Sequence, residues 1–506
     1  MKRTALAALA LLLPLSVHPQ EGGQTKALEK ALAAGYKAGF TCSATFNAGQ
    51  TLREIDLNEL SGIYPDYRAT FEALPTAQID FNRKIVTVSY GEGMPPRMAV
   101  WRKGLGCTQL PIGAGEEAIE YLPAFTEWPD APAEELDRVE LMPGILRDPI
   151  SLASFGTFDA AVDFAFDGET YGEDTKTSAL LIVHRGEILT ERYARGINAT
   201  TPQRTWSVAK SIAATIIGAA EWQGMTDIDH PIVIDAWSSG ADPRHKITLR
   251  NLLHMASGLD SGESGSRTDR VYFGGARVID AATTAVLEAP PGTRFKYANN
   301  DTLIALRSIR EKIGDDGAYL RFPHEELLWK IGAYRTTLET DWNGDFIGSS
   351  QVWTTARDLA RIGLLYLNDG MWNDERLLPE DWVEFVTTPA PAQPEGDSFR
   401  YGAQFWLFNH AGVPDDAFAA MGHRGQYLVI IPSRELIIVR RGYDSSGGTR
   451  FAIDRFTADI VAALNAAYRA REREEMRLLL GDEALEVDPD AGRPGTEDTA
   501  DAPAEE

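Results

Sequence analysis

The sequence predicts an α+β protein in which one antiparallel sheet is flanked by terminal helices and interrupted by a mostly helical insertion. Two candidate hairpins lie at opposite ends of the main domain. Ser178–Val183 and Ile188–Tyr193 are β-rich runs separated by a short turn, and Gln426–Ile431 and Glu435–Arg440 repeat that pattern. Because strand patterns occur at both ends and helical patterns between them, we expect the two ends to join in a single sheet.

Helical periodicity defines the start of the insertion and the last helix. The insertion begins with Ser207–Trp222, an apolar stretch that has no acidic residue before Glu221. Tyr401–Phe408 is predicted as a further strand, and residues 451–480 are predicted as a helix that covers the sheet. The stripe expected to face the sheet consists of Phe456, Ile460, Ala463 and Leu464.

A small α+β module is predicted over residues 24–122, ahead of the main domain at residues 150–472. Lys26–Phe40 has a helical pattern. Ile85–Tyr90 and Met98–Arg102 flank a turn rich in glycine and proline, which is typical of a hairpin. The module contains no pattern that indicates a catalytic site.

Three segments fall outside these folded parts. Residues 1–20 combine two basic residues with an apolar run too short to span a bilayer, which is typical of a signal peptide. The expected location is therefore periplasmic or secreted, in a bacterium. An uncleaved membrane anchor is the alternative, because the cleavage site is indistinct. Residues 123–149 are rich in proline and acidic residues and are interpreted as a linker, and residues 481–506 as an acidic, disordered tail.

The formal net charge of the 506-residue chain is -25. This charge argues against binding to nucleic acid and to anionic membrane surfaces, since both attract basic proteins. After removal of the signal peptide we expect no association with membranes. The oligomeric state stays open.

Cys42 and Cys107 are the two cysteines of the chain. Exported proteins commonly pair such residues, so we predict a disulfide between them. Two unpaired buried thiols are the alternative if the chain is not exported.

Ser207 and Lys210 form the single Ser-x-x-Lys motif of the sequence. On a helix, residues three apart share a face, so the lysine amine would stand one turn above the serine hydroxyl. Burial among apolar residues lowers the pKa of an amine, which would allow it to accept the serine proton. A lysine that extends from a core helix to solvent is the structural alternative.

Two further segments supply candidate partners for this pair. Tyr297 and Asn299 lie in a loop that precedes a helical run, where a phenol can share proton transfer and an amide can orient the lysine. The segment His423-Arg424-Gly425-Gln426 leads into a predicted strand, and the backbone N–H of Gln426 with that of Ser207 would form an oxyanion hole. For Tyr297 and Asn299, the alternative is a packed tyrosine followed by an asparagine in a turn. For His423 and Arg424, the alternative is a polar turn that leads into a strand.

These motifs in this order resemble the serine hydrolase superfamily of class C β-lactamases, penicillin-binding proteins and related esterases and amidases. The chain looks most like the 6-aminohexanoate-dimer hydrolase and esterase-like branch. The resemblance implies a β-lactamase/transpeptidase-like fold, with Ser207 as nucleophile, Lys210 as base and Tyr297 as the partner in proton transfer. It is carried by residues 180–186, 206–211, 247–259, 297–299 and 422–427.

The third motif departs from the family pattern. Enzymes that recognise β-lactams usually have Lys-Thr-Gly or Lys-Ser-Gly where this chain has His423, Arg424 and Gly425. The lysine and hydroxyl of that motif bind the substrate carboxylate. Asn299 keeps its orienting role in the resemblance, while Gly425 and Gln426 fall on the oxyanion strand. Esters or amides without a carboxylate at that position are therefore the better candidates.

The sequence thus predicts an exported serine hydrolase that cleaves esters or amides of small molecules or peptides through an acyl-enzyme. A β-lactamase or D-alanyl-D-alanine carboxypeptidase is one alternative, and a binding or sensor protein for cell-wall peptides with low turnover is another. No cofactor and no metal are expected, since the eight histidines lack metal-binding spacing such as His-Glu-x-x-His.

Overall fold

The computed structural model describes residues 20–125, 128, 156–260, 268–396 and 399–480. The predicted signal peptide up to residue 19, most of the predicted linker, and the predicted acidic tail lie outside the described residues. Among the described helices, none is both long and apolar enough to cross a membrane.

The described residues form thirteen α-helices and sixteen strands. The helices are α1 Gln20–Phe46, α2 Leu52–Asn58, α3 Pro65–Glu72, α4 Gly156–Phe164, α5 Val208–Trp222, α6 Leu249–Leu253, α7 Asp269–Tyr272, α8 Val278–Thr283, α9 Asn299–Ile313, α10 Asp316–Pro323, α11 Ala356–Leu367, α12 Trp382–Thr387 and α13 Ile453–Leu480. The strands are β1 Gln78–Asp80, β2 Ile85–Val88, β3 Arg97–Arg102, β4 Gly106–Gln109, β5 Thr177–His184, β6 Glu187–Tyr193, β7 Gln203–Arg204, β8 Thr337–Leu338, β9 Val352–Thr354, β10 Met371–Trp372, β11 Glu375–Arg376, β12 Phe399–Tyr401, β13 Trp406–Phe408, β14 Phe418–Gly422, β15 Gln426–Ile431 and β16 Leu436–Gly442.

A seven-stranded sheet joins the two ends of the main domain, in the order β12-β13-β14-β15-β16-β5-β6. The last strand, β16, pairs antiparallel with β5, so that Leu436 lies opposite His184. All three predicted hairpins form, as β5 with β6, β15 with β16, and β2 with β3 in the N-terminal module. The predicted α+β class and the closure of one antiparallel sheet by both chain ends are therefore confirmed.

The single strand predicted over Tyr401–Phe408 is wrong, because two short strands, β12 and β13, replace it. Gln404, between them, has a φ of 62°, which takes the chain out of the extended conformation. Its buried side-chain amide donates to the carbonyl of Leu253 at 2.9 Å. This tertiary hydrogen bond stabilises a turn that the strand-like sequence does not indicate.

The sheet carries a hydrophobic core on each face. On one face α13 and α4 cover the strands, and the predicted stripe of Phe456, Ile460, Ala463 and Leu464 is buried there. On the other face the helical insertion packs around α5, of which residues 208–220 are all buried. Since each large apolar side chain contributes roughly 1.5–3 kcal/mol on burial, these two cores hold the sheet between helical layers.

The N-terminal module consists of a four-stranded sheet, β1 to β4, that packs against α1. A disulfide joins Cys42 on α1 to Cys107 on β4, as predicted. Helix α1 is longer than the predicted Lys26–Phe40. Its last turns contain Thr41 and Ser43, which favour other conformations in isolation, but they are buried against the rest of the protein.

The module shares its core with the main domain. Tyr36 and Phe40 of α1 belong to the same hydrophobic cluster as Trp206 and Phe273. The guanidinium of Arg97 on β3 donates to the backbone carbonyl of Phe273 at 2.8 Å. Residues on the two sides of the predicted linker at residues 123–149 therefore pack into one common hydrophobic core.

Candidate active site

Ser207 lies at the start of α5, where it is the N-terminal cap residue and keeps part of its surface exposed. The residue before it, Trp206, has a φ of 50°, an uncommon conformation for a bulky side chain. The first turn of a helix also carries a partial positive charge. The hydroxyl of Ser207 is therefore accessible and lies in a field that favours its ionised form.

Lys210 stands one turn above Ser207 and is only 1% exposed. Its Nζ lies 3.1 Å from Ser207 Oγ, 2.6 Å from Asn299 Oδ1 and 2.9 Å from the carbonyl oxygen of Ser349. Burial lowers the pKa of Lys210 to about 7. The alternative of a lysine that extends to solvent is wrong.

The three partners of Lys210 suit a neutral amine. Asn299 and Ser349 each offer an oxygen acceptor, which together take both N–H bonds of an uncharged amino group. The nitrogen lone pair is then left for the hydroxyl of Ser207. The site can therefore hold the base in the protonation state that accepts a proton from serine.

Tyr297 lies beside Ser207 and Lys210. Its ring centroid is 5.0 Å from Lys210 Nζ. Burial raises the pKa of Tyr297 to about 12, although its interaction with the Ser207 side chain opposes that shift. The phenol is thus protonated near neutral pH and is available as a donor. Its ring packs against Trp406 at 5.6 Å.

Asn299 is held in a defined orientation at the start of α9. Its Nδ2 donates to Thr268 Oγ1 at 3.1 Å, which directs Oδ1 towards Lys210. The carbonyl of Ser349 is a member of the site that the sequence analysis did not identify. Because it acts through its backbone, no residue type in the sequence signals it. The hydroxyl of Ser349 is paired with Tyr272 at 2.6 Å.

The segment predicted to form the oxyanion hole is close to the site, but a different glycine borders Ser207. A Cβ atom built on Gly422 would lie 2.4 Å from the carbonyl oxygen of Thr205 and 3.2 Å from the backbone nitrogen of Ser207, so only glycine allows the strand to approach so closely. Gly425 instead abuts Arg440 and Asp444 on the far side of the turn. Gln426 directs its side chain towards Arg441, whose Nε donates to it at 2.8 Å.

His423 and Arg424 follow Gly422 in this turn and point in different directions. Burial and the neighbouring Arg424 lower the pKa of His423 to about 4, so its ring is neutral. Arg424 is buried, and its guanidinium donates to the backbone carbonyls of Ser61 at 2.9 Å and Asp444 at 2.9 Å. Its charge is thus turned away from Ser207. Neither residue supplies a cation at the site.

The structure therefore groups four of the predicted residues around Lys210 Nζ, namely Ser207, Tyr297, Asn299 and Lys210 itself. His423 lies beside them, whereas the side chains of Arg424 and Gln426 have structural partners. Within the described residues, no group of three or more His, Cys, Asp or Glu side chains is placed to hold a metal ion.

Comparisons with known proteins identify the family to which the chain belongs. The family described as Beta-lactamase matches residues 168–452, more than half of the chain, and leaves the N-terminal module outside the match. A 6-aminohexanoate-dimer hydrolase of Paenarthrobacter ureafaciens is 26% identical over 356 residues, which cover 63% of this chain and 87% of that protein.

Solved structures show the same fold. A Bacillus anthracis protein assigned as a 6-aminohexanoate-dimer hydrolase is 24% identical, with a TM-score of 0.50 over 60% of this chain and 81% of its own. A Bacteroides dorei protein assigned as a β-lactamase is 18% identical, with a TM-score of 0.50 over 62% of this chain and 99% of its own. With its antiparallel sheet, helical insertion and Ser-x-x-Lys helix, the chain belongs to the Beta-lactamase family and has the β-lactamase/transpeptidase-like fold.

Proposed function

We propose that this protein is an exported serine hydrolase that cleaves ester or amide bonds through an acyl-enzyme on Ser207. The observation that carries the proposal is the buried amine of Lys210, 3.1 Å from Ser207 Oγ, with a pKa of about 7. A serine hydroxyl becomes an effective nucleophile when an adjacent base takes its proton. The named relative from Paenarthrobacter ureafaciens, an amide hydrolase by its name, supports the reaction class.

In the first step the neutral amine of Lys210 takes the proton of Ser207 while Oγ attacks the substrate carbonyl carbon. The negative charge that develops on the carbonyl oxygen faces the backbone N–H of Ser207 and the backbone at His423, directly after Gly422. The bond to the leaving group then breaks. Tyr297, which contacts Ser207, passes a proton to the leaving oxygen or nitrogen and regains it from Lys210.

In the second step water attacks the acyl-enzyme. Lys210, again in its neutral form, takes one proton of the water as the water oxygen bonds to the acyl carbon. The ester bond to Ser207 Oγ then breaks, Lys210 returns the proton to Oγ, and the carboxylic acid leaves. Each cycle consumes one water and regenerates every side chain, so the two steps balance without any further reactant.

The surroundings of the site favour substrates without a carboxylate beside the scissile bond. On the strand that borders Ser207, the residues before Gly422 are Ala420 and Met421, and neither carries a charge. The nearby Arg424 is turned towards Ser61. Enzymes that bind β-lactams or D-alanyl peptides need a cation for the substrate carboxylate, so uncharged esters and linear amides are the proposed substrates.

A fluorophosphonate probe tests the proposed nucleophile. We expect labelling of the wild type and of Ser238→Ala, which removes an exposed serine, and no labelling of Ser207→Ala. Equal labelling of Ser207→Ala would contradict the proposal. The substrate class is tested with nitrophenyl esters, linear amides, D-alanyl peptides and a chromogenic β-lactam. A single burst of product without steady turnover would favour a binding or sensor protein instead.

Export is tested separately. We expect the full chain, expressed in a bacterium, to appear in the periplasm or medium with residues up to about 20 removed, as its leader sequence predicts. Deletion of residues 2–17 would keep the protein in the cytoplasm. Recovery of the full chain in the cytoplasm with Met1 or Lys2 at its N-terminus would contradict this part of the proposal.

A further inference from the structure

The N-terminal module holds the turn that follows Gly422. The guanidinium of Arg424 donates to two carbonyls of the module, that of Ser61 at 2.9 Å and that of Glu59 at 3.3 Å. Ser446, whose hydroxyl lies 3.1 Å from His423 Nε2, donates its backbone N–H to the carbonyl of Gly62 at 2.9 Å. The turn segment at residues 422–424 is thus fixed to residues 59–62 by hydrogen bonds.

Tyr64 extends this contact into the active site. Its ring stacks on the imidazole of His423, with a centroid distance of 5.2 Å and an interplanar angle of 9°. The same ring meets the indole of Trp206 edge-on, at 6.0 Å and 88°. Trp206 and His423 also touch each other, at 5.0 Å. The three rings form a cluster in which Tyr64 is the one member from the module.

The two partners of Tyr64 flank the backbone that faces the developing oxyanion. Trp206 immediately precedes Ser207, and His423 immediately follows Gly422, whose Cβ position would lie 3.2 Å from the Ser207 nitrogen. Trp206 has a φ of 50°, a conformation that persists only when its surroundings hold it. A displacement of either ring would therefore move a backbone donor of the oxyanion hole.

We propose that Tyr64 is a positioning residue of the active site. Its ring stacks on His423 and meets Trp206 edge-on, and these contacts hold the backbone of the oxyanion hole in place. The inference rests on the proposed acyl transfer by Ser207. It assigns the N-terminal module a part in catalysis, although the module lies outside the residues that match the family. The hydroxyl of Tyr64 is not required, because both contacts are made by the ring.

Rapid-mixing kinetics with p-nitrophenyl acetate test the inference on three variants of the full-length protein. In Tyr64→Ala we expect the acylation rate constant to fall about 10- to 100-fold, somewhat less than the loss of a whole oxyanion donor. The dissociation constant of the ester before acylation should change less than about twofold, since the ground state makes little use of the hole. Tyr64→Phe should behave like the wild type, because it keeps the ring. Tyr121→Ala, at a module tyrosine that is 80% exposed, is the matched control.

Phenylboronic acid supplies a second readout, because it forms a tetrahedral adduct on a reactive serine. Its inhibition constant should rise in Tyr64→Ala by the same factor as the acylation rate falls. The pH at which acylation is half-maximal should not move, since Lys210 is untouched. If the half-maximal pH shifts, or if ester binding weakens as much as acylation, Tyr64 has a merely structural role and the inference is overturned.

The outcomes separate this inference from the proposed function. An active wild type with an equally fast Tyr64→Ala would overturn only the role of Tyr64. A wild type that neither reacts with the fluorophosphonate nor hydrolyses esters would overturn both. If Tyr64→Ala does not fold, judged by circular dichroism, Tyr64→Leu takes its place, because leucine keeps apolar bulk without a planar ring. The same loss of acylation is expected, and normal acylation in Tyr64→Leu would contradict the inference.

Discussion

Lys210 Nζ lies 3.1 Å from Ser207 Oγ, and burial is what lowers the pKa of this amine to about 7. The base is therefore prepared by its apolar surroundings. A small change in those surroundings should change the pH at which the enzyme works.

The pH dependence of acylation follows from this pKa. Below about pH 7 Lys210 is protonated and unable to accept the serine proton. With a neutral ester, kcat/KM should rise about tenfold per pH unit at low pH and level off above pH 7. Steady-state assays from pH 5 to 9 measure this rise, which is the acid limb of the pH profile. A flat profile across pH 6 to 8 would contradict the assignment of Lys210 as the base.

Asn299→Asp should shift that limb to higher pH. The substitution puts a carboxylate where Asn299 Oδ1 lies 2.6 Å from the amine, and a nearby negative charge favours the ammonium form. The expected result is a higher half-maximal pH with a similar rate on the alkaline plateau. Asn299→Ala is the control, since it removes the hydrogen bond without adding charge and should shift the limb far less than Asn299→Asp.

Tyr297→Phe should lower kcat/KM by roughly 10²- to 10⁴-fold, the usual range for the loss of a proton-transfer group. The pKa of Tyr297 is about 12, so in the wild type the phenol acts as a donor at neutral pH. The acid limb should therefore stay near pH 7 in the variant. Tyr401→Phe, at a buried neighbour of Tyr297, keeps the rings packed and should retain most activity. Unchanged hydrolysis by Tyr297→Phe would refute its role.

Lys210→Met tests the same pKa through stability. In the folded protein the pKa of Lys210 is about 7, whereas the ordinary value, which applies to the unfolded chain, is 10.5. At a pH between these two values, Lys210 therefore carries a proton in the unfolded chain but not in the folded protein. Wild-type stability should therefore rise with pH relative to Lys210→Met, by up to about 1.4 kcal/mol per unit. Urea unfolding at pH 7, 8 and 9 gives this difference. Lys246→Met, at an exposed lysine, is the control, and an equal slope in both variants would contradict the burial argument.

Removal of the disulfide should destabilise the module. Cys42 and Cys107 are separated by 65 positions, and loss of such a cross-link typically costs about 2–4 kcal/mol. We expect the double variant Cys42→Ala, Cys107→Ala to unfold at lower urea concentration and, because the module holds the turn at Arg424, to lose activity at a lower temperature than the wild type. An unchanged unfolding midpoint would contradict this.

Sequence patterns predicted the parts of the fold that depend on local periodicity. The hairpins around residues 185 and 433, helix α5, and the apolar stripe of α13 all formed where the patterns placed them. The strand predicted at Tyr401–Phe408 failed because a long-range hydrogen bond of Gln404 fixes a turn there. Such tertiary contacts leave no periodic signal.

The placement of the candidate site residues shows which of them the sequence could indicate. Ser207, Lys210, Tyr297 and Asn299, which lie close together, have side chains of a distinctive chemical type, so their identities indicated them. Ser349 and Gly422 contribute backbone, which every residue possesses. Gly425 and Gln426 were predicted to form the oxyanion strand, whereas Gly422 borders Ser207 after the hairpin folds, and the sequence of the turn does not specify which glycine does so.

The hydrogen bonds from Arg424 to residues 59 and 61 join positions more than 360 residues apart in the chain. Contacts of such long sequence separation close large loops and tend to form late in folding. During synthesis, residues 59–64 emerge long before the turn that they hold. The candidate active site can therefore be completed only after the chain has been made as far as Arg424, so a shorter nascent chain would lack these contacts.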